Sequence, residues 1–265
     1  MTSMKTIVIT GSTRGIGYGL ADAFLALGCS VAISGRTQQK VDLAAAKLSA
    51  SHGPEQLLGF ACDVTRFEQV RALWNAAIVR FGKVDVWINN AGINPGQIPF
   101  WQLSPDHIQT GVETNLIGAM NGAVVAINGM LEQGSGAVYN MEGLGSNGRR
   151  INGLTLYGTT KYGLAYLTDA LAGETRGTHV IVGAIRPGMV LTELLTKPFQ
   201  DKPAEWKRAK KVFNVLAERI ETVAPWIAGK VLANTRTGIR IQWLTPSRIG
   251  FAVMRAVFSK RNLFL

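Results

Sequence analysis

The sequence is poor in the residues that build stapled or metal-dependent folds. It has 2 cysteines and 3 histidines in 265 residues. Two cysteines make no disulfide framework, and Cys29 and Cys62 each border an apolar run, so both read as buried thiols in a reducing compartment. His52, His107 and His179 are too far apart in sequence for a metal-ligand spacing, so no metal is expected. The first ten residues, MTSMKTIVIT, hold too short an apolar run for a signal peptide, and a cytoplasmic location is expected. Long apolar runs are also missing. The nearest, 114–131, is uncharged but interrupted by Asn and Gly, and reads as a tightly packed buried helix instead of a membrane span.

Acidic residues are scarce too, 17 against 28 basic ones. The imbalance is local. Residues 1–196 hold 14 basic and 13 acidic residues, whereas 197–265 hold 14 and 4. The densest basic stretch is KPAEWKRAKK at 202–211. Three readings stand: a solvated helix face, a surface for an acidic ligand or a membrane, and nucleic-acid binding. Base-reading motifs are absent, which argues against nucleic acid and leaves peripheral membrane contact open.

Short β-branched runs alternate with helix-length amphipathic segments. The predicted strands are 5–10, 30–34, 57–62, 84–89, 136–141, 179–185 and 239–244. Helices are predicted at 16–27, 37–50, 66–81, 104–131, 155–176, 222–234 and after Pro246. This alternation implies βαβ units and a parallel sheet. The expected fold is α/β: a single Rossmann-type doubly wound parallel sheet of about seven strands with helices on both faces. One domain, 1–265, accounts for the chain, with a substrate lid from an irregular insertion near 188–221 and a substrate side that continues to 265.

The first predicted strand runs into T10-GSTRGIG-Y18. Gly11, Gly15 and Gly17, with Thr13 and Ile16 among them, sit where a strand turns into a helix. Missing Cβ atoms there let backbone N–H groups approach a pyrophosphate, and the helix N-terminus favours its charge. The second strand ends in ISGRT. A carboxylate near this point would hold a ribose 2′-hydroxyl. Here Gly35 is followed by Arg36 and Thr37, and Arg14 lies inside the glycine turn. Two guanidiniums converging on a 2′-phosphate point to NADP(H); two solvated arginines are the alternative.

Further along, YGTTK places Tyr157 and Lys161 four apart, on one face of a helix. A carbonyl that accepts hydride develops negative charge on oxygen and needs a proton. A phenol has a pKa near ~10, and a nearby lysine cation should lower it.

These residues together, with NNAG at 89–92, resemble the short-chain dehydrogenase/reductase superfamily. The ordered set covers about 5–192: TGSTRGIG, GR at 35–36, DV at 63–64, NNAG, Asn115, Tyr157 with Lys161, and PGMVLT at 187–192. The resemblance implies that Asp63 and Val64 flank the adenine and that Asn90, Ala91 and Gly92 line the cofactor channel. Pro187, Gly188, Val190 and Thr192 hold the nicotinamide end, where Lys161 meets the ribose. Tyr157 is the acid, and Asn115 supports a proton path through Lys161. Members commonly pair through the 114–131 and Tyr157 helices, so a homodimer or homotetramer is implied.

NMEGLGS before YGTTKYGL, RPGMVLTELL and LTPSRI look like the chlorophyll b reductase branch. That branch implies NADPH-dependent reduction of the C7 formyl group of chlorophyll(ide) b. A chlorin needs a wide apolar pocket. Phe100, Trp101, Leu194, Leu195, Phe199, Trp206, Phe213 and Leu216 could wall one, or could pack the lid against the core.

The remaining question is the hydroxyl that should hold the substrate oxygen. In most of the superfamily a serine lies about 13 residues before the tyrosine, which here lands on Leu144. The serine present is Ser146, 11 before Tyr157, a spacing the branch shares. It is expected as the oxyanion donor, with a turn cap as the alternative. The rival functions are reduction of another bulky apolar carbonyl (steroid, quinone or acyl chain) and non-catalytic NADP(H) binding.

Overall fold

Each β-branched run finds a place in one sheet. The computed structural model describes residues 4–199, 202–258 and 261–264. Gln200 and Asp201 of the predicted lid, and residues 259, 260 and 265 of the tail, lie outside the described residues. The strands are β1 (Thr6–Ile9), β2 (Ser30–Gly35), β3 (Leu57–Ala61), β4 (Val86–Asn89), β5 (Gly136–Met141), β6 (Val180–Arg186) and β7 (Arg240–Gln242). They lie in the order β3-β2-β1-β4-β5-β6-β7, and every pairing is parallel. Seven strands in this order match the doubly wound sheet expected from the alternation.

The pleat sorts the strand residues by face. Ile7, Ile9, Val31 and Ile33 point to a core built with α1 (Gly15–Ala26) and α2 (Gln38–His52), and Ile227 and Val231 join it from a later helix. Val8, Ala32, Trp87 and Val138 point the other way, to α3 (Phe67–Phe81) and the helices that follow β4 and β5. Strands buried on both faces need continuous apolar runs, which is why these read as VIVI-like stretches. Each fully buried Ile, Val or Leu contributes roughly 1.5–3 kcal/mol against an exposed reference.

The predicted helix at 104–131 is one continuous path, Pro105–Gln133, 29 residues long. It begins as α4 (Pro105–Val112), capped by Ser104. It passes through a π-turn at Glu113–Ile117 and continues as α5 (Gly118–Gln133). Its length, and a mean hydropathy of 1.2 in its most apolar 18-residue window, would suit a membrane span. Yet Gly118, Ala119, Gly122, Ala123 and Ala126 are buried, and the helix packs on α3, β4 and β5. After β5 comes α6 (Thr155–Glu174), which carries YGTTK in its first turns.

The insertion after β6 is not irregular, as the sequence suggested. It holds α7 (Glu193–Thr196), a 3₁₀ turn at Lys197–Phe199, and α8 (Pro203–Leu216). Only Phe213 of α8 is buried. Backbone pairing between Val190 and Glu218 closes the root of the insertion. The chain then forms α9 (Ile220–Ala233), β7 and α10 (Pro246–Phe258).

Close helix–strand approach rests on small residues. A Cβ on Gly122 would lie 2.0 Å from Asn89 Oδ1 and 2.8 Å from Trp87 Nε1. Those atoms belong to a buried polar chain in which Trp87 Nε1 donates to Asn89 Oδ1, Asn89 Nδ2 to Asn140 Oδ1, and Asn140 Nδ2 to Thr168 Oγ1. Gly122→Ala is therefore expected to cost about 1–3 kcal/mol through overpacking. Urea unfolding measures it; an unchanged midpoint would show that α5 can shift without disturbing the chain of amides.

Candidate active site

The turn after β1 is tied to the segment after β4. Thr10 Oγ1 accepts from the N–H groups of Asn90 (3.0 Å) and Ala91 (3.1 Å). Asn90 Nδ2 donates back to the carbonyls of Thr10 (2.8 Å) and Gly11 (3.0 Å). These bonds draw the two backbones so close that a Cβ on Gly11 would sit 2.7 Å from Ala91 Cα. Gly11 also has φ +62°, a region L side chains avoid. On the other side, Ser12 Oγ accepts from Ser34 N–H at 2.9 Å, and the Thr13 methyl fills the space a Gly35 Cβ would need. The ends of β1, β2 and β4 thereby share one backbone-walled rim, at the start of α1 with Ile16 and Gly17.

The charged residues of that rim divide. Arg36 and Thr37 are exposed at the end of β2. Arg14, expected beside Arg36, is ion-paired with Glu193 at the start of α7, both largely solvent-exposed. Such a pair contributes only about 0–1 kcal/mol, so an anion could compete for the guanidinium. Asp63 Oδ1 accepts from Thr65 N–H and Thr65 Oγ1, and Val64 is buried against Gly118. Thr192 lies across from Gly15, whose Cβ would be 3.7 Å from its methyl. Pro187 and Gly188 follow β6, with Gly188 pressed against Leu244.

The reactive groups converge one strand further on. Asn115, 1% exposed, lies in the π-turn. Its Oδ1 accepts from Ile93 N–H (2.7 Å), and its Nδ2 donates to Ile93 O (2.9 Å) and Thr160 Oγ1 (3.1 Å). Thr160 in turn donates to the Tyr157 carbonyl. Lys161 is buried and donates from Nζ to Met141 O at 2.8 Å. A Cβ on Gly92 would lie 3.4 Å from Asn115 Oδ1 and 3.6 Å from Lys161 Nζ, so this glycine leaves the space in front of both. A Cβ on Gly143 would lie 2.6 Å from Tyr157 Oη and 3.5 Å from Lys161 Cε. The tyrosine hydroxyl thus rests directly on Gly143 backbone.

Burial sets the proton affinities. It pushes the Tyr157 phenol up to about 12, opposite to the depression expected from a neighbouring lysine. The rise comes from removing the phenolate from water. Burial also lowers the Lys161 ammonium to about 8, opposed by the Glu142 charge. A phenol held protonated is the form that can donate.

Ser146 is 5% exposed, and its N–H donates to Gly143 O at 3.1 Å. The loop turns tightly over α6: a Cβ on Gly145 would meet Gly158 Cα at 2.7 Å. Ser146 is brought near the start of α6, but it makes no hydrogen bond with Tyr157.

Glu142 carries a role that spacing alone did not reveal. Its side chain is fully buried beside Lys161's anchor at Met141, with Arg186 Nε on Oε2 and Arg240 Nε on Oε1 at 3.2 Å. Arg240 also reaches Asp169 on α6 at 2.7 Å. A buried carboxylate needs such partners, and losing one leaves an uncompensated charge. The signal available in the sequence was the acidic residue at the end of a strand otherwise buried throughout.

The lid aromatics favour packing over lining. Phe199, Trp206 and Phe213 contact one another and Phe264, and Leu195 joins that cluster with Met189 and Leu191. Leu216 is half-buried, whereas Trp101 (83%), Phe100 and Leu194 are exposed. His52 pairs with Asp22, and His107 with Ser104, away from the site.

Comparison with known proteins agrees with this geometry. The family model for short chain dehydrogenase matches residues 5–203. The chain is 35% identical to the NYC1 protein of Arabidopsis thaliana, described as a probable chloroplastic chlorophyll(ide) b reductase, over 98% of this chain and 54% of that protein. It therefore spans about half the length of that relative. The chloroplastic chlorophyll(ide) b reductase NOL of Arabidopsis thaliana is 37% identical over 90% of this chain and 68% of its own. Among solved structures, a 3-ketoacyl-(acyl-carrier-protein) reductase from Brucella melitensis complexed with NADH superposes with TM-score 0.78 at 26% identity, covering 90% of this chain and 96% of that one. An actinorhodin polyketide ketoreductase with NADPH gives 0.79 at 26% identity, covering 91% and 97%.

Two outcomes follow. Ser146→Ala should reduce carbonyl-reduction kcat by roughly 10²-fold if its hydroxyl holds the developing oxyanion; a near-normal rate would leave it a turn residue. Lys161 is protonated below about 8, so kcat/KM should fall as pH rises through that value. Glu142→Gln removes the charge that favours the ammonium, so this limb should move to lower pH. A variant that loses thermal stability while keeping the limb in place would mark Glu142 as structural only.

Proposed function

The chain belongs to the short-chain dehydrogenase family of NAD(P)-dependent oxidoreductases, and from that premise we propose an NADPH-dependent reductase whose substrate is the C7 formyl group of chlorophyll(ide) b. The observation that carries the substrate is the extent of similarity. Likeness to the chlorophyll(ide) b reductases runs over 90–98% of the chain, through the lid and tail. The 3alpha-hydroxysteroid dehydrogenase of Mediterraneibacter gnavus, 30% identical, aligns with 74% of it. The likeness to the chlorophyll(ide) b reductases therefore takes in more of the chain than the likeness to the steroid dehydrogenase does.

The residues present fit a nicotinamide dinucleotide. Gly11 and Gly17 let the β1 turn close onto Ala91 and Asn90, where a Cβ would collide, and Gly92 stands at contact distance from Asn115 and Lys161. Gly11, Thr13, Arg14, Gly15, Ile16 and Gly17 would take the pyrophosphate, and Arg36 and Thr37 the 2′-phosphate. Asp63 and Val64 would flank the adenine. Asn90, Ala91, Gly92, Pro187, Gly188, Val190 and Thr192 would hold the nicotinamide half. When bound, the dihydronicotinamide supplies the hydride.

Tyr157 gives its phenolic proton to the alkoxide that forms, a downhill transfer because an alkoxide is far more basic than a phenolate near 12. Lys161 holds charge beside it, and Asn115 fixes the backbone at Ile93 and the first turn of α6 through Thr160. The whole chain acts as one reductase domain with its lid and tail on the substrate side. Apolar residues exposed on α5 (Met120, Val124) and α6 (Tyr162, Tyr166) favour pairing of copies through these helices.

The test incubates purified protein with chlorophyllide b and either NADPH or NADH and follows the pigment's absorption. Conversion to the hydroxymethyl product with NADPH, faster than with NADH and abolished by Tyr157→Phe, is expected. Reduction of a steroid or quinone under conditions where chlorophyllide b is untouched would replace the substrate while keeping the chemistry.

A further inference from the structure

The outer side of α10 has no charge on it. Ile249, Phe251, Val253, Met254 and Phe258 are all exposed, Phe251 at 63% and Phe258 at 87%. At 100° per residue these positions cover more than half the helix circumference. The helix is fixed from its other side. Ala252 is buried, and the Arg248 guanidinium lies 3.7 Å from the Trp243 ring centre and 4.7 Å from that of Trp226. Single exposed apolar residues are ordinary on a protein surface, but five on one continuous face are not.

The neighbouring helix supplies the opposite character. α8 packs against α10. It exposes Lys207, Arg208 and Lys211 on one stripe, while Lys210 folds over Trp206 and Phe264. An apolar helix face beside a row of cations is the pattern of a segment that lies in a lipid–water interface, with the apolar side among acyl chains and the cations at anionic headgroups. A second copy is a poorer occupant. Residues 197–265 hold 14 basic and 4 acidic residues, so bringing two such surfaces together sets like charges against each other.

We propose that α10 and the basic stripe of α8 form a docking surface for an anionic lipid bilayer. The surface lies in the same quarter of the chain as the lid, so a docked protein would meet an apolar substrate from the lipid side. The docking does not depend on the reductase reading, because it is measured without turnover.

The test is co-sedimentation of the full chain with sucrose-loaded vesicles, either phosphatidylcholine alone or an equal mixture with phosphatidylglycerol. Binding to the mixed vesicles at low salt, at least about tenfold stronger than to phosphatidylcholine, is expected from three added cations near the surface. Phe251→Asp combined with Phe258→Asp should lower partitioning about tenfold or more. Lys207→Glu with Lys211→Glu should erase the preference for phosphatidylglycerol. Far-UV circular dichroism and the thermal unfolding midpoint, measured in parallel, should be unchanged in both variants, which shows that they fold. Equal binding by the wild type and the Phe251/Phe258 variant, or none by the wild type, would overturn the proposal. So would light scattering that shows an oligomer split by the phenylalanine changes, because a second copy would then be the occupant.

Discussion

Burying an ammonium group is the constraint from which the site's other features follow. Removing a lysine cation from water costs several kcal/mol unless its hydrogen bonds and charge are met. Lys161 is met by the Met141 carbonyl at 2.8 Å and by the Glu142 charge one residue on. Glu142, buried in turn, requires Arg186 and Arg240, and Arg240 recruits Asp169 on the same helix as Lys161. A closed circuit of charge thus joins the ends of β5, β6 and β7 to α6. The packing of Tyr157 and Asn115 around the lysine relies on what is missing, the Cβ atoms of Gly143 and Gly92. Tyr157 can approach only because residue 143 has no side chain.

The same crowding explains the π-turn at Glu113–Ile117. A regular helix through this point would carry Asn115 past its partners. The extra residue in the turn lets both ends of the amide bond the Ile93 backbone while Nδ2 still reaches Thr160. Local helical geometry is spent here to connect the segment after β4 with the first turns of α6. Asn115 therefore ties the Ile93 backbone to Thr160 on α6.

Much of this was legible in the sequence because it is local. The strand runs, the glycine turn at 11–17 and the Tyr157–Lys161 spacing are each contained within a few residues, and all seven strands lie within two residues of their predicted ends. What could not be read is non-local or thinly patterned. The Arg14–Glu193 pair joins residues 179 apart, and no spacing rule announces it. The tyrosine's proton affinity depends on burial of the whole pocket, which outweighs the single neighbour that sequence proximity emphasised. Helix α8 hid because most of its residues face water, so its composition resembled a charged loop. The aromatic residues of the insertion looked equally suited to a pocket wall or to a small core; they pack on one another, and Phe264 from the tail joins them.

The pairing of Met189–Leu191 with Glu218 gives the lid a property its length would not suggest. An insertion of this size, left open at its base, would lose chain entropy each time it settled over a ligand. Here both ends are already joined, and Arg261 reinforces the join through Ala217 O and Glu218. The segment between them carries its own small core around Phe213. Its described residues are thus held at both ends and packed internally. For the substrate lid proposed above, closing over a ligand would then cost little in backbone ordering.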